Sequence, residues 1–432
     1  MGKSFFMRKI ILLTTIGILS CSLLQAQTTK EEMLANLKKT AGNNMAYQPE
    51  IKPQTPAPKG YKPFYISHYG RHGSRYHYSG FDYIMLQRMI NSAYEANALT
   101  DAGKDLKNRV DRLCEDGINR AGDLTQTGFN QHQGIAERMV NSFPEVFADN
   151  ANIVVKSSTS HRVLCSMDAF MQKMKAMRPT LNVTTESSKR IMSYINLEER
   201  DSVTRYLNRT DGFRRANDSL DRALCHPERL VKQVFSDTAY VRAKVNGHQF
   251  MRKLFDIQCN MQNIDDLDFD FSDFFTADEM FDNWQLTNVY WYANFSNCPY
   301  ADSRGAWCGR NLLATILDDA DKALAGNGVS ANLRFGHDTG LAPLASLMQL
   351  EGTTAQVTDF AELYKVWCDY KIIPMAGNIQ MIFYKSDKSK DVLVKVMLNE
   401  NEVKLPLESK TAPYYKWTEV EKFYRDILAK TK

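Results

Sequence analysis

The period of apolar and polar positions changes several times along this chain. Residues 64–70 (FYISHYG) run apolar and aromatic into a glycine, the pattern of a buried strand. Residues 81–96 switch to helical spacing, with Ile84, Met85, Met89, Ile90 and Tyr94 able to share a face. The stretch 123–143 predicts a second helix, capped by Thr125 or Thr127 and buried through Ile135, Met139 and Val140. Residues 151–158 (ANIVVKSS) predict a short β-branched strand, and 160–177 a helix with an apolar stripe. From about 190 to 320 the chain reads as mainly helical, polar and irregular. Strand signals return at 331–336, after a Gly326-Asn327-Gly328 turn, and a helix follows over 341–350. Residues 378–387 and 391–403 read as a strand pair. There is no repeat and no low-complexity tract.

Strands alternating with helices at both ends, around a helical middle, predict an α/β fold. We expect a mixed-sheet core from 61–165 and 320–432, flanked by helices, with a mainly helical domain inserted over 166–319. Residues 27–60, polar and then proline-rich, read as a tether. Residues 1–26 read as a signal peptide: Lys3, Arg8 and Lys9, then an apolar run, then Leu24-Gln25-Ala26 as a cleavage site. That predicts an exported protein, periplasmic or secreted. The alternative is a lipoprotein anchored through Cys21. No later stretch is apolar enough to span a bilayer.

The 432 residues are 44% apolar, enough for a sizeable core. Cleavage after Ala26 would remove three basic residues and no acid, taking the net charge from +4 to +1. A near-neutral chain does not point to nucleic acid, so anion recognition must come from a local cluster. Eight cysteines would become seven, an odd number, and Cys298 with Cys308 is the pair we expect if any disulfide forms.

Three predicted strands run directly into His or Arg, and open α/β sheets bind ligands beyond the carboxyl ends of their strands. After 64–70 come Arg71, His72 and Arg75, with Gly70 and Gly73 letting the backbone approach a ligand. Guanidiniums bind phosphate oxygens and favour a neutral, nucleophilic imidazole between them. After 151–157 come His161 and Arg162, at a helix start that itself favours anions. After 331–336 come His337, a second stabiliser for phosphate oxygens, and Asp338, a carboxyl placed to protonate a leaving oxygen. Phosphoryl transfer needs charge neutralisation, an in-line nucleophile and an acid, and this set supplies all three without a metal.

RHGSR with a distant GHD resembles the histidine acid phosphatase branch of the histidine phosphatase superfamily. GDLTQTGFNQHQ, FGHDTGLAPLASLM and VMLNENEVKLP also resemble that family's patterns, and SSTSHRVLCSMDAF is closer to its multiple inositol polyphosphate phosphatase subgroup. The likeness runs from about residue 60 to 406. It implies His72 as the phosphorylated nucleophile and Asp338 as proton donor. It implies Arg71, Arg75, Arg162 and His337 as phosphate ligands, and no metal or other cofactor. The expected substrate is a small phosphate monoester, with phytate or another inositol polyphosphate ahead of sugar phosphates or a broad range of monoesters. Two positions depart from the pattern. His77 replaces the signature proline, which makes it a possible substrate contact. The acid is one residue after the histidine (Asp338), where the inositol polyphosphate subgroup carries it at the place of Thr339.

Plainer roles compete. Each basic loop alone could be a solvated surface. His68, His72 and His77 could be metal ligands. His161 could cap or orient its helix as readily as touch substrate, and Asp338 could be an N-cap. His132, His226 and His248 show no partner pattern. Cys165 reads as core, and the acidic, aromatic stretch 263–284 as a packed surface segment. A noncatalytic phosphate-binding module would keep the arginines but needs neither His72 nor Asp338. Oligomeric state is not legible in the sequence.

Overall fold

The computed structural model describes residues 28–195 and 200–430; the expected signal peptide and Cys21 lie outside them. Among the described residues, eight strands form one mixed sheet. They are β1 Lys62–Arg71, β2 Asn152–Ser157, β3 Asn182–Glu186, β4 Val329–Gly336, β5 Asn378–Ser386, β6 Ser389–Leu398, β7 Asn401–Glu402 and β8 Tyr415–Lys416. The order is β3-β2-β4-β1-β5-β6-β7, with β8 also paired to β6. β3, β2, β4 and β1 are parallel, and β5 and β6 continue the sheet antiparallel. Every strand expected from the apolar pattern is present. So are the helices Gly80–Glu95, Gln126–Ser142, His161–Met177 and Asp338–Leu347. The sheet extends past residue 165 through β3, which the sequence pattern does not announce.

β4 lies between β2 and β1, and its residues Ala331–Gly336 are buried. Leu333 and Phe335 pack with Val163 and Phe170 of helix His161–Met177 in one core cluster. Burial of each such side chain contributes roughly 1.5–3 kcal/mol. Register then fixes the site. Arg71 of β1 pairs with Gly336 of β4, and Ser157 of β2 pairs with Phe335 of β4. The loops that begin at His72, Ser158 and His337 therefore leave the sheet at one level. The chain between β3 and β4 is mainly helical, and Phe250, Leu254, Trp284 and Tyr292 anchor its core.

Residues 27–60 were expected to be a tether, yet much of this segment is folded. Thr29–Ala35 is a helix with a Thr28–Glu31 capping box, and Leu37–Asn44 is a 3-10 segment kinked at Gly42. Thr40–Asn44 are buried, against helices Gly247–Met261, Ala277–Phe295 and Asp369–Ile372. The reason is polar stitching. Buried Asp369 accepts hydrogen bonds from the Asn43 N–H (3.0 Å), the Trp284 indole (2.8 Å) and its neighbour's N–H. The expected Cys298–Cys308 disulfide is also absent. Cys298 is a buried thiol, and the Cys308 thiol donates to the Arg304 carbonyl one turn back (3.4 Å). The acidic stretch packs as expected: Asp266, Asp268 and Asp273 pair with Arg120, Arg112 and Arg109.

Gly42 has φ +58°, and a Cβ there would lie 2.5 Å from the Asp369 carboxylate. Gly42→Ala should therefore destabilise the protein by about 2 kcal/mol, from left-handed strain plus the displaced carboxylate. A lowered midpoint in chemical denaturation checks this; an unchanged midpoint would show that the turn does not hold the fold.

Candidate active site

The loop after β1 is held rigidly. The Gly73 N–H donates to Ser166 Oγ (3.1 Å), and the Ser74 N–H to Gln131 Oε1 (2.9 Å). Gly73 and Gly128 let this loop touch the start of helix Gln126–Ser142. A Cβ on Gly73 would lie 2.4 Å from the Gly128 carbonyl oxygen, and one on Gly128 would lie 2.2 Å from that of Ser74. Thr125 caps that helix through the Gly128 N–H, so the LTQTG sequence forms the seat of the RHGSR loop.

The His72 ring Nδ1 lies 2.9 Å from the Gly73 carbonyl oxygen. A carbonyl only accepts, so Nδ1 carries the proton of the neutral imidazole and Nε2 keeps its lone pair. Burial, then the charges of Arg71, Arg162 and Arg75, hold its pKa well below the ordinary value. His72 thus stays neutral in mild acid. Its ring stands edge-on to that of His337, with centroids 5.7 Å apart. His337 Nε2 bonds to Ser158 Oγ (3.0 Å), and burial with Arg162 lowers its pKa to about 4.

Three arginines surround this pair. Arg71 is fully buried: Nη1 donates to the carbonyls of Asn43 and Ile373, and Nη2 forms an ion pair with Asp338 at 2.7 Å. Arg75 reaches the Tyr76 carbonyl (2.9 Å) and, at 3.5 Å, the side chains of Asn260 and Asn44. Burial beside Arg71 and Arg162 lowers its pKa to about 10. The Nε atoms of Arg71, Arg75 and Arg162 are buried without hydrogen-bond partners. Such donors are costly unless an acceptor meets them, and an anion beside His72 would do so. Asp338 is the first residue of its helix; His337, not Asp338, stands at the N-cap. Its Oδ1 accepts from the Thr339 N–H (2.9 Å) and Oδ2 from Asn43 Nδ2 (3.2 Å). Burial pushes its pKa up, but Arg71, Arg75 and His337 outweigh that and hold it below the usual carboxylate value.

His72, Arg75, Arg162, His337 and Asp338 line one cleft of about 580 Å³. Arg71 lies behind it. His161 does not join them: it is largely exposed, 3.7 Å from Asp123, and its ring approaches Cys165. Cys165 is half-buried rather than core, and burial raises its pKa. His77 is buried beside the cleft and reaches it through Asp256, whose Oδ2 lies 3.1 Å from His77 Nε2. His68 packs against Phe170 and Phe335. Among the described residues, His68, His72 and His77 do not bring their ring nitrogens together as metal ligands would. Sequence reasoning missed Asn43, Asn44, Tyr78, Asp256, Tyr290 and Trp291, all of which line the cleft. Only Tyr78, next to the motif, left a local signal.

The sequence matches the family model of the histidine phosphatase superfamily (branch 2) over residues 70–399. The chain belongs to that superfamily. Phosphomonoester hydrolysis is the activity that follows. No curated protein sequence matches this histidine phosphatase. Its fold is similar to that of the multiple inositol polyphosphate phosphatase of Bifidobacterium longum in complex with phosphate. The TM-score is 0.75 at 18% identity, covering 89% of this chain and 97% of that one. It is also similar to the phytase from D. castellii (TM-score 0.69, 16% identity, 95% and 88% covered). The phytase from Citrobacter braakii is more distant (0.53, 15%, 85% and 98%).

The imidazoles set how stability depends on pH. Burial lowers the pKa of His68 and of His132 to about 3, and that of His337 to about 4. Between pH 6.5 and these values the unfolded chain binds protons that the folded histidine phosphatase refuses, so stability rises with pH across this window. The urea midpoint should fall steadily as pH is lowered from 6.5 towards 4. A midpoint that stays level over that range would contradict the neutral, buried imidazoles.

Proposed function

We propose that this histidine phosphatase is an exported, metal-independent phosphomonoesterase that acts through a phosphohistidine, with inositol polyphosphates such as phytate as substrates. The observation that carries the reading is His72, with Nδ1 committed to the Gly73 carbonyl, set among three guanidiniums whose Nε–H donors are unpartnered. Arg75, Arg162 and His337 hold the phosphate oxygens, and Arg71 adds its buried Nε and its charge. His72 Nε2 attacks phosphorus. The P–O ester bond breaks, and the leaving oxygen takes a proton from Asp338. Asp338, now a carboxylate, accepts a proton from water as the water attacks the phosphohistidine. The products are the alcohol and inorganic phosphate, and His72 is regenerated.

The inositol phosphate assignment rests on fold similarity to an inositol polyphosphate phosphatase and to phytases. One observation favours a sugar phosphate or broad monoester reading beside it. Among the described residues, the arginines that line the cleft are Arg75 and Arg162, both beside His72. Export rests on the basic and apolar pattern of residues 1–26.

His72→Ala should leave less than about one percent of kcat on p-nitrophenyl phosphate; more than that would sink the nucleophile assignment. Asp338→Asn should lower kcat/KM, which reports leaving-group departure, by roughly 10²–10⁴ for alkyl phosphate esters but far less for aryl esters, because a phenolate leaves without a proton. Equal losses of kcat/KM on both ester types would remove Asp338 from the proton-donor role. Exhaustive chelation should leave turnover intact, and loss that added metal restores would refute the metal-free scheme.

A further inference from the structure

Away from His72 the cleft changes character. Besides Met192, its described lining there includes Tyr78, Thr159, Thr287, Tyr290, Trp291 and Asp256, which offer hydroxyls, aromatic faces and one carboxylate. Helical spacing produces this wall. Thr287, Tyr290 and Trp291 lie three and four residues apart on helix Ala277–Phe295. Asp256 lies one turn from Asn260, which approaches Arg75, on helix Gly247–Met261.

Asp256 is built in rather than stray. Its side chain is 40% exposed, and Oδ2 is engaged by His77 Nε2 at 3.1 Å, which leaves Oδ1 for a ligand. His77 is fixed in turn, with Nδ1 3.2 Å from the Ser79 carbonyl oxygen and 3.3 Å from the Ser79 N–H. The nearby cations are committed elsewhere: Lys253 to Asp82, and Arg252 to Asn283 and Thr287. Burial raises the pKa of Asp256, but the His77 hydrogen bond and nearby charges outweigh it and keep the pKa below the ordinary value. A carboxylate here repels a second phosphate and accepts from a hydroxyl. Beside it Tyr78 is 62% exposed, with its ring centroid 4.6 Å from that of His77 and 5.8 Å from the Arg75 guanidinium. It is an exposed aromatic side chain on the lining of the cleft.

We propose that this wall is the leaving-group subsite and takes a ring whose position facing Asp256 carries a free hydroxyl, with Asp256 accepting that hydroxyl and Tyr78 lying beside the ring. The inference rests on the phosphomonoesterase reading and narrows its substrate class, ranking fully phosphorylated phytate below inositol phosphates that keep a free hydroxyl. A polyol ring with a free hydroxyl near the scissile phosphate is preferred to one that bears a phosphate at that place. His77, in the position of the motif's proline, is then a positioning residue for Asp256.

The test compares wild type and Asp256→Asn on myo-inositol 1-phosphate, glucose 1-phosphate, inositol hexakisphosphate and p-nitrophenyl phosphate. Each kcat/KM is divided by the aryl phosphate value of the same preparation, so the folded fraction cancels. In the variant the ratio for the two polyol monophosphates should fall ten- to a hundredfold, mainly through KM, as expected on losing a hydrogen bond to a charged group. The ratio for hexakisphosphate should rise. Ratios that all stay within twofold, or a hexakisphosphate ratio that falls with the others, would overturn the subsite. If wild type hydrolyses glucose 1-phosphate but no inositol phosphate, the inositol reading fails, and the glucose 1-phosphate ratio alone decides the subsite. If only the aryl ester is hydrolysed, both fail.

Discussion

A guanidinium with no solvent on it organises this molecule. Removing the Arg71 charge from water costs several kcal/mol unless charge and acceptors replace the lost hydration. The replacements come from far apart in the chain: the Asn43 carbonyl before the sheet begins, the Ile373 carbonyl before β5, and the Asp338 carboxylate after β4. Satisfying one side chain thus pins the N-terminal turn, the loop before β5 and the acid-bearing helix to the end of β1. The 3-10 segment Leu37–Asn44 then brings Asn43 against Asp338 and Asn44 towards Arg75. Taking away the arginine would strand the carboxylate and the two carbonyls together, so the site and the fold share one set of contacts.

The same charge governs the titration of its neighbours. With Arg71, Arg75 and Arg162 packed around two buried imidazoles, a proton on either ring meets both desolvation and three like charges. His72 is consequently a base that stays available in mild acid, where a phosphate monoester is still at least a monoanion. The arrangement is tuned for an anion rather than for itself. Three unpartnered Nε–H donors and two neutral imidazoles are costly alone, and a phosphate among them supplies both acceptors and countercharge.

Much of this was legible in the sequence, and what was not has physical reasons. The strands β1, β2 and β4 show because aromatic and β-branched runs end in local basic motifs, and parallel register then forces those ends together. The N-terminal turn did not show, because Thr, Gly and Asn in a polar setting read as solvated chain. What buries them is Asp369, 326 residues from Asn43. Asp256 did not show either, since an acid on the polar side of an amphipathic helix looks like any surface acid until His77 is seen behind it. The cysteine pair misled through sequence proximity, which says nothing of whether two side chains face each other. His77 was rightly singled out as the odd residue of the motif, but its ring turns towards a carboxylate rather than into the cleft.

One tension remains inside the proposed chemistry, and electrostatics resolves it. Asp338 is needed as an acid, yet in the ligand-free site it is held below its ordinary pKa, chiefly against burial by Arg71 and Arg75. The ligand-free site therefore favours its carboxylate form. The substrate changes that balance. A phosphate group brings up to two negative charges to the guanidiniums that now favour ionised Asp338. With those cations engaged, burial is left as the main influence and raises the carboxyl pKa. Below about pH 6 a phosphate monoester arrives as its monoanion and carries a proton itself. Transfer of that proton to Asp338 leaves a dianion facing three arginines and a protonated acid facing the leaving oxygen, with no net charge moved into the site. On the proposed scheme, activity in acid would follow from the protonation of the substrate, not from an unusual resting pKa of Asp338, and the ion pair with Arg71 would hold the carboxyl in place until the proton arrives.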